Sequence, residues 1–102
     1  MQKKVDEFNK KNRGSEPLDV SLRIMDVQSE LGELSKEYLK ATDYGTKEFN
    51  LTEDFGMELG DVLYSIYCLA NETNVDANEM VLKVLDKYQK RIDEKKNMGS
   101  GR

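Results

Sequence analysis

Residues 20–38 read VSLRIMDVQSELGELSKEY, and the apolar positions Val20, Ile24, Val27, Leu31, Leu34 and Tyr38 step by 4, 3, 4, 3 and 4. That is the spacing of a helix that covers one stripe against another helix. Residues 55–69, FGMELGDVLYSIYCL, repeat it through Phe55, Leu59, Val62, Ile66 and Leu69. Two such seams joined by a polar connector predict two long helices packed antiparallel. Outside them the chain holds one proline, Pro17, and no period-two alternation, so the expected class is all-α, of the four-helix-bundle type. A short first helix is expected over about Gln2 to Asn12, with Val5 and Phe8 as its apolar contacts, ended by Gly14-Ser15-Glu16-Pro17. The second should run from about Leu18 to Ala41 and break at Asp43-Tyr44-Gly45-Thr46. The third opens near Asn50, which has capping-box spacing to Glu53, and ends near Asn74. Asp76, three residues before Glu79, is the expected N-cap of a fourth helix reaching about Lys95. Asn97 to Arg102 reads as a frayed tail.

A chain of 102 residues and 11.8 kDa has room for one core, so residues 1–102 are expected to form a single domain, its core over about 18–95. Leu, Ile, Val and Phe supply only 24 residues, and one cysteine with no histidine excludes a disulfide framework or a zinc knuckle. Assembly is the remaining common support for so lean a core, so a homodimer or homotetramer is expected. The basic, polar N-terminus lacks a signal peptide's apolar stretch, and no window is apolar enough to span a bilayer, which points to a cytoplasmic protein without a membrane partner. Lack of histidine also removes every Ser-His and Cys-His mechanism and leaves carboxylates, Lys, Tyr or an oxygen-bound metal. Net charge is −4, but residues 1–13 carry five Lys/Arg against two acids, residues 83–102 seven against three, and the stretch between them four against fifteen. So acidic a centre excludes stable binding to a nucleic-acid backbone, whereas carboxylates beside a basic segment suit a divalent cation with phosphates.

The acids are in phase with the seams. Asp26, Glu30, Glu33 and Glu37 each precede a seam position on the second helix, as Asp54, Glu58 and Asp61 do on the third. Glu30-Leu31-Gly32-Glu33-Leu34 therefore matches Glu58-Leu59-Gly60-Asp61-Val62. Packing one seam on the other should bring the acid stripes together, and Gly32 and Gly60, each costing about 1 kcal/mol in a helix interior, suggest close backbone approach there. Converging carboxylates repel unless they share protons or hold a cation. An all-oxygen set selects Mg²⁺, with Mn²⁺ as a substitute, and a ferritin-like iron site would need Glu-x-x-His. The competing reading of one such motif is an ordinary solvated helix face. On the fourth helix Lys83, Lys87 and Arg91 fall on one line, and cations facing a metal site are what a polyphosphate requires; alone they would read as solubility charges. Cys68 reads as a small core residue, Tyr64 and Tyr67 as packing residues beside the seam, and Met25, Met57 and Met80 as gap fillers.

At these residues the chain resembles the MazG-like nucleotide pyrophosphohydrolases, the all-α NTP pyrophosphatase superfamily, whose helices carry Glu-Glu-x-x-Glu and then Glu-x-x-Asp. The matching segments are Ser29-Glu30-Leu31-Gly32-Glu33 and Glu58-Leu59-Gly60-Asp61-Val62-Leu63-Tyr64, with Ser29 where the pattern often has its first Glu. The resemblance covers about residues 18–95 and implies Glu30, Glu33, Glu58 and Asp61 as Mg²⁺ ligands. It also implies Lys87 and Arg91 as phosphate contacts, and it places aromatic side chains such as Tyr64 near the nucleobase. The implied reaction cleaves a nucleoside triphosphate into a monophosphate and pyrophosphate, usually as nucleotide-pool housecleaning, in dimers or dimers of dimers whose chains complete one bundle. Within that chemistry Glu33 is the candidate base for the attacking water. A phosphoribosyl-ATP pyrophosphatase on the same fold and a non-catalytic helical oligomerisation module are the alternative readings.

Overall fold

In a computed structural model, which describes residues 1–14 and 19–100, the chain forms four helices and, among the described residues, no strand. They are α1 (Gln2–Asn12), α2 (Val20–Ala41), α3 (Glu53–Glu72) and α4 (Ala77–Ser100). Local chemistry sets their ends. Asp19 caps α2 by accepting the Ser21 N–H at 2.9 Å, and Asp76 accepts the Glu79 N–H at 3.0 Å. The start of α3 departs from expectation, because Thr52 and not Asn50 is the N-cap. Its hydroxyl accepts the Phe55 N–H at 3.1 Å, and Glu53 and Asp54 then lie in the first turn, where the helix dipole favours acids. Two Schellman closures end α2 and α3. In the first, Tyr44 N–H reaches Leu39 O at 2.7 Å with Asp43 at φ 48°; in the second, Val75 N–H reaches Ala70 O at 2.9 Å with Asn74 at φ 54°. Thr42, 1% exposed, steadies the first closure by donating to Tyr38 O and accepting the Gly45 N–H. The expected junction at Ser15-Glu16-Pro17 and a helix start at Leu18 lie outside the described residues, as do Gly101 and Arg102. The rest of the expected tail, Asn97–Ser100, is a continuation of α4.

Helices α2 and α3 run antiparallel, as their end contacts show: Arg23 near the start of α2 pairs with Glu72 at the end of α3, while Tyr38 stacks on Phe49 and Phe49 meets Phe55 edge-on at the other end. The faces in contact are rotated from the apolar seams. On α2 the covered line is Arg23, Val27, Glu30, Leu34, Glu37 and Ala41, so four of the six expected seam positions (Val20, Ile24, Leu31 and Tyr38) stay open to solvent. On α3 the covered line is Phe55, Glu58, Val62, Ser65, Leu69 and Glu72, while Leu59, Leu63 and Ile66 remain exposed. The physical reason is that each helix has more apolar surface than one neighbour can cover, and α1 is short. Gly32 and Gly60 accordingly meet no neighbour where a Cβ would stand, which corrects the expected close approach. Met25 and Met57, read as gap fillers, are 59% and 65% exposed.

Helix α1 lies on α3, burying Val5 and setting Phe8 edge-on to Tyr64. The Gln2 side chain ties it to the α3–α4 turn by donating to Val75 O at 2.7 Å and accepting the Ala77 N–H at 2.9 Å. Helix α4 builds no comparable interface. From Ala77 to Asn97 only Ala77 and Val84 are even half-covered, and the molecule measures 59 × 42 × 22 Å with a radius of gyration of 18.4 Å. A close-packed domain of this length has about 13 Å.

Candidate metal centre

The rotated contact face decides which acids meet. Glu30, halfway along α2, sits on the line that touches α3, and Glu58 sits on the reciprocal line with Asp61 one turn further. One carboxylate oxygen from each of Glu30, Glu58 and Asp61 lies within 4.8 Å of the others; Glu30 and Glu58 are half-buried and Asp61 is exposed. The carboxyl of Glu58 is pushed above its ordinary value of 4.5, first by loss of water around it and then by repulsion from Asp61, Glu30, Glu33 and Glu37. The three side chains thus form a converging anionic pocket with no histidine or thiolate in it.

That donor set fits a hard divalent cation. Mg²⁺ takes oxygen ligands at about 2.0–2.1 Å in an octahedron and usually keeps several waters, so three carboxylates with room on the solvent side at Asp61 suit it. The fourth expected ligand stands apart. Glu33 is exposed and pairs with Lys36 at 3.6 Å, an exposed contact that holds it weakly, although its charge still acts on Glu58. Lys87 and Arg91 belong to α4, which makes at most marginal contact with α2 and α3 and builds no interface that would set them against the carboxylates. Lys87 lies over the Tyr88 ring at 5.2 Å, and Lys83 pairs with Glu79.

Tyr64, one turn beyond Asp61, is half-buried against α1. Its hydroxyl donates to Asn9 Oδ1, while Asn9 Nδ2 donates to the Cys68 thiol at 3.3 Å. Cys68 is a core residue, as expected, at 2% exposure. Burial pushes the Tyr64 phenol up, the Cys68 thiol beside it adds to the rise, and the guanidinium groups of Arg13 and Arg23 oppose it. Arg13 stacks over the Tyr64 ring at 5.9 Å. Arg23 shares the α2 contact line with Glu30 and approaches Glu72 at 3.6 Å, longer than a good charge-assisted hydrogen bond. Among the described residues its Nε is a buried nitrogen without a hydrogen-bond partner. Both arginines line an open cavity of about 1230 Å³ between α1 and the second half of α3. Sequence reasoning passed over Asn9, Arg13 and Arg23; the available signal was that Arg23 lies seven residues before Glu30, in the same helical register.

Comparison with known proteins matches this architecture. The model of the MazG nucleotide pyrophosphohydrolase domain fits residues 24–95, a span that contains all three converging carboxylates as well as Lys87 and Arg91. A relative from Bacillus subtilis (strain 168), named uncharacterized protein YpjD, is 36% identical over 78 residues, which are 74% of this chain and 66% of the relative, so the chain spans just under two thirds of that protein's length. No solved structure matches. With the family model covering most of α2 to α4, the chain belongs to the MazG nucleotide pyrophosphohydrolase domain family.

Proposed function

We propose that the protein is a Mg²⁺-dependent nucleoside triphosphate pyrophosphohydrolase that releases a nucleoside monophosphate and pyrophosphate, serving nucleotide-pool housecleaning. The observation that carries this reading is the convergence of Glu30, Glu58 and Asp61 inside a MazG domain. Those three carboxylates would hold Mg²⁺ or, in its place, Mn²⁺, with Glu33 able to swing in as a fourth. When bound, the ion supplies charge neutralisation for the phosphates and a lowered pKa for water. Glu33, free of all but a weak surface pair, takes the proton from the attacking water. As the oxygen–phosphorus bond forms, the bond to the leaving pyrophosphate breaks, and the same carboxylate can return its proton to solvent. Tyr64, beside the acids, borders the space for the nucleotide.

The phosphate-binding cations of α4 reach the site from a second copy in this reading. Val81, Leu85, Tyr88 and Ile92 step along α4 by 4, 3 and 4 and are about half exposed, like Ile24, Leu31, Leu59 and Ile66 on the α2–α3 pair. Joining the two stripes in a homodimer, or a dimer of dimers, covers both and brings basic α4 to the acidic centre, with Lys87 and Arg91 toward the phosphates. Among the described residues no helix is long and apolar enough to cross a membrane, and the substrate is a small nucleotide in the cytoplasm, with no nucleic-acid partner. The test is a panel of ordinary and damaged (d)NTPs with Mg²⁺, analysed for products. Equimolar monophosphate and pyrophosphate is the expected outcome; orthophosphate, or no turnover across the panel, would overturn the reading.

A further inference from the structure

Among the described residues the Nε of Arg23 is a buried N–H donor without an acceptor, and such a group ordinarily waits for an anion or water. It is one of two guanidinium groups directed to the same place. Arg13 comes from the end of α1 and Arg23 from the start of α2; both act on the Tyr64 phenol and both line the cavity beside α3. Two planar cations from different helices, neither held by a short ion pair to a carboxylate, match a group with several anionic oxygens. Lys10, also on the cavity wall, is instead engaged by Asp6 at 2.9 Å. The position relative to the acids is informative as well. Tyr64 follows Asp61 by one turn of α3, and Arg23 precedes Glu30 by seven residues, a rise of about 10 Å along α2. Arg23 thus lies about two helical turns from the carboxylates on the same pair of helices.

We propose that Arg13 and Arg23 form an anion subsite that binds a phosphate group of the nucleotide's polyphosphate chain. It rests on the proposed hydrolase reading for the identity of the ligand, and it adds to the α4 cations a pair supplied by the same chain that holds Glu30, Glu58 and Asp61. Glu72 competes for Arg23 at 3.6 Å and keeps the guanidinium oriented when no phosphate is present.

The test uses inorganic pyrophosphate as the probe, by calorimetry at fixed ionic strength in EDTA, so that neither metal binding nor turnover enters the readout. Wild-type protein should bind it saturably, and Arg13→Gln and Arg23→Gln should each weaken it by at least about tenfold, with Lys96→Gln unchanged. Arg13 is exposed at a helix end, so its variant keeps the fold even if Arg23→Gln loses stability. Pyrophosphate affinity that is absent in the wild type, or equal in wild type and Arg13→Gln, overturns the subsite. Failure of the hydrolase reading looks different: intact arginine-dependent pyrophosphate binding with no nucleotide turnover when Mg²⁺ is supplied.

Discussion

The α2–α3 pair and α4 carry the same kind of apolar spacing and reach opposite states. In the pair, each helix gives its neighbour a line rich in charge, Arg23, Glu30 and Glu37 among six residues on one side and Glu58 and Glu72 among six on the other. Apolar Leu31, Leu59 and Ile66 are left facing solvent. In α4 almost nothing is covered. Leu82 is 65% exposed and Leu85 56%, although an apolar side chain of that size gains about 1.5–3 kcal/mol from full burial. The intrachain contact thus gathers carboxylates, while much of the apolar surface of all three helices stays uncovered. Three acids gathered without a cation cost stability, so an arrangement of this kind is consistent with ligand binding more than with scaffolding.

Neutralising the gathered acids should have the largest effect. Glu30→Gln, Glu58→Gln and Asp61→Asn should each lower nucleotide hydrolysis by at least about a hundredfold, since even outer-shell changes at metal sites cost 10–100-fold, while helix content and metal-free melting temperature stay level or rise. A variant that keeps wild-type turnover removes its residue from the site. Next in size is the role of α4. Leu85→Asp should abolish assembly and, with it, activity, and light scattering on the wild type should give at least a dimer, with a melting temperature that rises with protein concentration. Mixing an inactive Glu58→Gln chain with an inactive Lys87→Ala/Arg91→Ala chain should restore part of the activity through mixed dimers; no recovery would place the α4 cations with their own chain's acids or out of the reaction.

Smaller effects refine the same contrast. Lys87→Ala and Arg91→Ala should each cost about 1.5–3 kcal/mol of transition-state binding, one to two decades in kcat/KM, with Mg²⁺ affinity nearly unchanged. Arg91→Lys should rescue only partly, because a point charge does not reproduce a guanidinium fork. The smallest effect concerns pH. Glu58 holds its proton more tightly in the folded chain than in the unfolded one, so its contribution to metal-free stability is greatest below 4.5 and is lost as pH rises from there through its raised folded value. The melting temperature of wild type relative to Glu58→Gln should therefore fall across that window without metal, and added Mg²⁺ should oppose the fall at neutral pH.

Much of this was legible in the residues. The 4-3 spacing of Val20 to Tyr38 and of Phe55 to Leu69 located α2 and α3, and Asp76 with Glu79 located the start of α4, because capping and period are local properties. The phase of Glu30 with Glu58 and Asp61 brought the central acids together on paper as in space. What a one-dimensional pattern does not carry is which flank of an apolar stripe meets the intrachain neighbour: a helix such as α2, apolar over a broad arc, satisfies two rotations equally. That degeneracy hid the inward turn of Arg23, the outward position of Glu33 and the open space at Gly32 and Gly60. Asn9, Arg13 and Tyr64 meet only through tertiary placement of α1, at a separation of 55 residues between Asn9 and Tyr64.

If Glu30, Glu58 and Asp61 hold a divalent cation, the protein binds Mn²⁺, and electron paramagnetic resonance reads that binding out because the free ion's signal is lost. Wild-type protein should remove free Mn²⁺ saturably, Mg²⁺ should displace it, and Glu58→Gln should lose that binding while remaining folded. Equal, non-saturating uptake by wild type and Glu58→Gln would mean that the three carboxylates are a solvated patch.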